Sequence, residues 1–113
     1  MQTVSHHGRT TAYRVRGDGA GAPALFVHGS GGTHAVWKSQ LARLADDRPV
    51  AALDLSGHGE SEDVDTDPGP ATLDAYARDV LAVADAVDAR VLVGNSLGGA
   101  VVLTAVLDHD ASP

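Results

Sequence analysis

A chain of 113 residues has room for one small domain, with a modest core and little depth for an enzyme pocket. Fifteen acidic residues, thirteen of them Asp, against seven Arg and one Lys give a net charge of −7, so the electrostatic footprint of a nucleic-acid binder is missing. The absence of Cys excludes disulfides, thiolate nucleophiles and cysteine-based zinc sites, while 43% hydrophobic and 20% charged residues describe a folded globular chain.

The opening MQTVSHHGRT has neither the basic region nor the apolar run of a signal peptide. No stretch reaches transmembrane length, so a soluble cytoplasmic protein without a membrane partner is expected. The Asp excess and single Lys resemble proteins of high-salt cytoplasm, although an ordinary acidic surface gives the same count. Alternating polar and β-prone residues on both sides of Gly8 predict antiparallel strands over residues 2–6 and 10–16. GDGAGAP breaks that pattern, and APALFVHG is an apolar strand ending at His28 that runs into the turn GSGG, from Gly29 to Gly32.

Trp37, Leu41 and Leu44 recur at helical spacing, predicting a helix of about three turns over residues 33–46. PVAALDLSGHGES repeats the grammar with a strand over 49–53 and a glycine-marked loop after it. The polar stretch DVDTDPGP at 63–70 reads as a loop. A helix over 72–87 follows, with Thr72 as N-cap and Leu73, Tyr76, Val80, Val83 and Val87 on one stripe. The last unit is a strand over 90–94 and a helix over 97–108. Strands alternating with helices imply an α/β fold: a mostly parallel sheet, helices on both faces and an antiparallel hairpin at the start. HGSGG, SGHGES and GNSLGG then share one crevice beyond the carboxyl ends of the strands.

GNSLGG contains G-x-S-x-G between a predicted strand and a predicted helix, the context that motif requires. A turn sharp enough to lift Ser96 above the sheet brings backbones so close that Gly94 and Gly98 must lack side chains. The N–H groups of the following helix, beginning with Leu97, then face a developing oxyanion. Ser96 as a simple N-cap is the alternative. HGSGG offers a second oxyanion donor, the N–H of Ser30 or Gly31, with His28 as a buried residue that shapes the loop.

A dinucleotide fingerprint starting at Gly29 fails at His34, where glycine is required, and no P-loop G-K-[ST] is present. Asp54, His58 and Glu60 are close enough in sequence to suggest a metal, but with no second His at ligand spacing they read as a structural turn. His6, His7 and His109 read as surface residues, and Trp37 and Tyr76 as core.

HGSGG, Trp37, DLSGHGES and GNSLGG, in this order and at these intervals, resemble the amino-terminal half of the α/β-hydrolase family from about Tyr13 onward. The resemblance implies Ser96 as nucleophile and the N–H groups of Ser30 and Leu97 as oxyanion hole. It implies a nucleophile elbow of Gly94, Asn95, Gly98 and Gly99, and structural loops containing His28, Gly29, Gly31, Asp54, Gly57, His58 and Gly59. A small-molecule acyl substrate, most simply an ester, would be cleaved through an acyl-enzyme with no metal or organic cofactor. Asn95 resembles the variant of carbon–carbon bond hydrolases, and esterases, lactonases and perhydrolases of the family carry it too. The serine argues against branches resembling epoxide hydrolases or haloalkane dehalogenases, which use aspartate there.

In that family the acid and histidine follow the nucleophile in the chain. Here only Asp108, His109 and Asp110 follow Ser96, with His109 roughly 18 Å away by helical rise. Residues 1–113 are thus expected to be a partial α/β-hydrolase domain, cut short and inactive alone. A non-catalytic remnant or binding module completed by a second chain is the alternative. The strand over 90–94 would lack its usual neighbour, and its bare edge invites self-association or a completing chain.

Overall fold

The computed structural model describes residues 1–17, 22–62 and 72–108, so the expected loop at 63–70 and residues His109 and Asp110 lie outside the described residues. His7 and Gly8 both take positive φ, 47° and 78°, as a two-residue hairpin turn requires. They join β1 (Gln2–His6) to β2 (Arg9–Arg16), antiparallel with His6 opposite Arg9. β3 (Ala24–Val27), β4 (Val50–Leu53) and β5 (Val91–Gly94) complete a five-stranded sheet in the order β1-β2-β4-β3-β5. β3 is parallel to both β4 and β5, and β2 is antiparallel to β4. Every strand except β2 therefore runs the same way, which is the mostly parallel α/β sheet with a starting hairpin that the sequence predicts.

Strand alternation sends side chains to two cores. Leu25, Val27, Ala51 and Leu53 pack with Val80 and Val83 of α2 (Leu73–Val87) and Val101 of α3 (Leu97–Asp108). Ala24, Phe26, Val50 and Ala52 pack on the other face with Leu41 of α1 (Lys38–Leu44). Strands buried on both faces explain why ALFV and VAAL are continuous apolar runs.

Three details differ from the sequence reading. The helix expected over residues 33–46 is a 3₁₀ turn (His34–Trp37) followed by α1, because Thr33 Oγ1 accepts from Ala35 N and Asp54 holds His34 N, tightening the first turn. Leu73 is exposed; helical side chains lean toward the N-terminus, so that of the first residue of α2 leans off the end of the core. His6 is not a surface residue: its Nε2 lies 2.7 Å from Thr11 Oγ1 and 3.3 Å from the buried carboxylate of Asp79. His7, at the turn, is exposed as expected.

Candidate active site

The parallel register sets Val27 opposite both Leu53 and Gly94, so the loops after β3, β4 and β5 leave the sheet at one edge. Asn95 N donates to Val27 O at 3.3 Å, continuing β5 one residue beyond its end. Ser96 then takes φ of +58°, a left-handed conformation that costs a non-glycine residue on the order of 1–3 kcal/mol. Its side chain is exposed at the junction of β5 and α3.

The flanking glycines have steric causes. A Cβ on Gly94 would collide with the backbone of Gly98 and Gly99, and one on Gly98 with the carbonyl oxygens of Val27 and His28. A Cβ on Gly29 would sit 3.4 Å from Ser96 Cβ and 4.0 Å from its Oγ, so the glycine loop after β3 lies directly beside the serine.

The N-cap alternative for Ser96 fails on geometry. Thr33 and Thr72, real caps in this chain, have extended φ of −144° and −127° and accept from Ala35 N and Ala75 N. Ser96 has positive φ, and the Gly98 and Gly99 amides bond to the carbonyls of Asn95 and Ser96. Leu97 N–H, first of the helix, has no acceptor among the described residues, the position from which a helix end binds negative charge. In the β3 loop Gly31 N donates to His58 Nε2 at 3.2 Å, whereas Ser30 N–H is unclaimed among the described residues. Of the two donors the sequence left open, Ser30 is the free one.

Two histidines lock these loops. Leu55 N donates to His28 Nε2 at 3.0 Å, so the proton is on Nδ1, which donates to Gly29 O at 2.7 Å. Burial holds His28 below its ordinary 6.5, opposed by the bond to Gly29 O and assisted by His58. His58 accepts from Gly31 N, and its Nδ1 donates to Ser56 O at 3.0 Å. Its ring lies 4.9 Å from that of His28. Both rings are engaged at both nitrogens, the arrangement of structural groups rather than bases.

Asp54 is wholly buried. It accepts from His34 N at 2.7 Å, His34 Nδ1 at 2.8 Å and Glu60 N at 3.0 Å. Burial raises its pKa, but these bonds from Glu60 and His34 outweigh it and hold the carboxyl below 3.8. Gly59, at φ +51°, packs so tightly on the Asp54 carboxylate that a Cβ would overlap it. Gly57, at φ +75°, turns the same loop. The Asp54 carboxylate is thus buried and engaged by these donors, and among the described residues no group of three or more His, Asp and Glu, the Asp54, His58 and Glu60 set included, is placed to hold a metal.

Sequence reasoning missed two arrangements. The first is the His34–Asp54 pair, in which His34 keeps Nε2 unbonded among the described residues; His34 lines a cavity between β2 and α1, apart from Ser96. The second is the buried Asp79 of α2, which takes Arg9 Nε and Nη2 on one oxygen and Ser56 N and Oγ on the other. It ties the loop after β4 to α2. The available signal was an acidic residue at helical spacing between Tyr76 and Val83, on the stripe that faces the core.

The chain matches the alpha/beta hydrolase family over residues 24–112. It is 38% identical over 104 residues to an uncharacterized protein of Mycobacterium tuberculosis, covering 91% of this chain and 29% of that one. It is 38% identical over 101 residues to 2-hydroxymuconate semialdehyde hydrolase of a Pseudomonas species, covering 80% of this chain and 33% of the relative. A solved structure of an enzyme degrading N-acyl homoserine lactones superposes with a TM-score of 0.84 at 31% identity, over 98% of this chain and 42% of that one. This chain thus spans less than half the length of each relative. With a family match over most of its length, on the sheet and serine turn described above, the chain belongs to the alpha/beta hydrolase family.

Proposed function

We propose that Ser96 is the nucleophile of a serine hydrolase acting on an ester or related acyl bond. The observation that carries this reading is the left-handed Ser96, exposed at the end of β5 and hemmed by Gly94, Gly98 and Gly29. Ser96 Oγ attacks the acyl carbon and yields its proton to a general base. The oxyanion is held by the N–H groups of Leu97 and Ser30; the C–O bond breaks, the alcohol leaves with the proton, and water releases the acid. The similarity to a lactone-degrading enzyme supports an ester-type bond, since a lactone is a cyclic ester.

The base and its orienting acid come from outside the described residues, from a continuation of the polypeptide or a second chain. Supporting this, His28 and His58 are engaged at both nitrogens, His6 is tied to Thr11 and Asp79, and His34 belongs to a separate cavity. A serine hydroxyl without its base loses several powers of ten in rate.

The test is fluorophosphonate labelling followed by peptide mass mapping. The protein that carries the acid and histidine is expected to be labelled at Ser96, Ser96→Ala to be unlabelled, and residues 1–113 by themselves to react far more slowly. Labelling of another residue, unaffected by Ser96→Ala, would refute the assignment.

A further inference from the structure

Eight cationic residues stand against fifteen acidic ones, yet the cations are not evenly placed. Arg14 and Arg16 of β2, His34 of the 3₁₀ turn and Lys38 at the start of α1 line one cavity of about 310 Å³, closed by Ala35 and Leu41. No acidic residue lines it among the described residues. Arg9, Arg78 and Arg90 each have a carboxylate partner, whereas Arg14, Arg16 and Lys38, like Arg43 and Arg48, have none among the described residues. His34 reaches the cavity with its ring fixed, because Asp54 holds both its backbone N and its Nδ1.

The sheet explains the convergence. Arg14 and Arg16 are alternate residues and so share a face of β2, roughly 7 Å apart along the strand. Their neighbours in register are Ala52 and Val50, whose short side chains belong to the core under α1. Three permanent charges around one space repel one another, and in a chain of net charge −7 nothing about the average composition places them together. An anion in the cavity would turn that repulsion into attraction.

We propose that this cavity is an anion site, separate from Ser96, that takes the phosphoryl group of a small phosphorylated molecule. Two guanidinium forks suit the paired oxygens of a phosphate, and Lys38 adds a point charge to its remaining oxygens. The buried side chain of Leu41 and the Ala35 methyl give an apolar wall for the carbon part of the ligand. None of the six lining residues belongs to the turns around Ser96, so the site can hold a ligand while the serine acts.

Isothermal titration of the purified protein with inorganic phosphate, at fixed ionic strength, tests the proposal, with malonate as a carboxylate control. Phosphate is expected to bind at millimolar concentration or below, more tightly than malonate. The double variant Arg14→Gln, Arg16→Gln should weaken it about tenfold or more, and Lys38→Gln less. Both arginines and Lys38 are exposed, so these variants should keep the far-ultraviolet circular dichroism of the parent. Absence of phosphate binding, equal binding by the double variant, or tighter binding of malonate would each overturn the assignment.

Discussion

Arg9 grips a single oxygen of Asp79 through Nε at 3.1 Å and Nη2 at 2.9 Å, joining the hairpin to α2 across the loop that follows β4. The other oxygen accepts Ser56 N at 2.8 Å and Ser56 Oγ at 2.6 Å. Asp79 has no exposed surface, so removing it leaves Arg9 desolvated without its counter-charge. Asp79→Ala is expected to cost about 3–5 kcal/mol in urea unfolding, and the double variant Arg9→Met, Asp79→Leu considerably less. A single-variant loss below about 1 kcal/mol, the value of a surface pair, would mean that the network is decorative.

The two adjacent glycines of α3 give a sharper contrast. A Cβ on Gly98 meets the carbonyl oxygens of Val27 and His28, which are fixed in the sheet and its first loop residue. A Cβ on Gly99 meets only the Gly94 carbonyl, its O and C at an ordinary 3.8 and 3.9 Å. Gly98→Ala should therefore destabilise by about 1–3 kcal/mol or more, the range for overpacking. Gly99→Ala should be neutral or stabilising by up to about 1 kcal/mol through helix propensity. Equal urea midpoints for the two variants would refute the claim that α3 is pressed onto the end of β3.

The elements were legible where one period governs a segment: ALFV and VAAL as buried strands, and the Tyr76, Val80, Val83 and Val87 stripe of α2. The serine turn was legible because its steric demand is local and G-x-S-x-G expresses it directly. The contacts of His6 and His34 were not, since each depends on a carboxylate brought from 73 and 20 residues away, Asp79 and Asp54 respectively. The choice between Ser30 and Gly31 as free donor rested on His58, a partner from another loop. Local pattern announces the turn, whereas long-range hydrogen bonding decides which of its amides remains open.

Acid should weaken the fold in two stages. Burial is the largest cause holding both His28 and His6 below 6.5; the Gly29 carbonyl opposes it at His28, and Asp79 opposes it at His6, where Arg9 and His7 add to it. The folded chain therefore binds these protons less readily than the unfolded one, so stability is fully present above 6.5 and declines as pH drops toward the lower folded values. Asp54, depressed below 3.8, adds a second loss as pH falls through its folded value. The urea midpoint is expected to fall from about pH 7.5 to about pH 5.5, less steeply in His28→Gln. A flat or rising profile over that interval would remove the neutral buried histidines from the account.

The last expectation concerns the surface formed by β5 and α3. Helix α3 carries no charged residue before Asp108, a composition suited to burial on more than one side. Val101 and Ala105 are buried, while Leu103 is 61% and Leu107 75% exposed; Val91 of β5, which pairs only with β3 among the described strands, is 41% exposed. An unpaired strand beside an apolar helix face is a template for association. The polypeptide of residues 1–113, produced by itself, should show concentration-dependent dimers or larger species in sedimentation velocity, and Leu103→Gln with Leu107→Gln should shift it toward monomer. A cooperative, monomeric melt at every concentration would mean that this surface is tolerated in water, and with it would go the reason to expect a completing segment there.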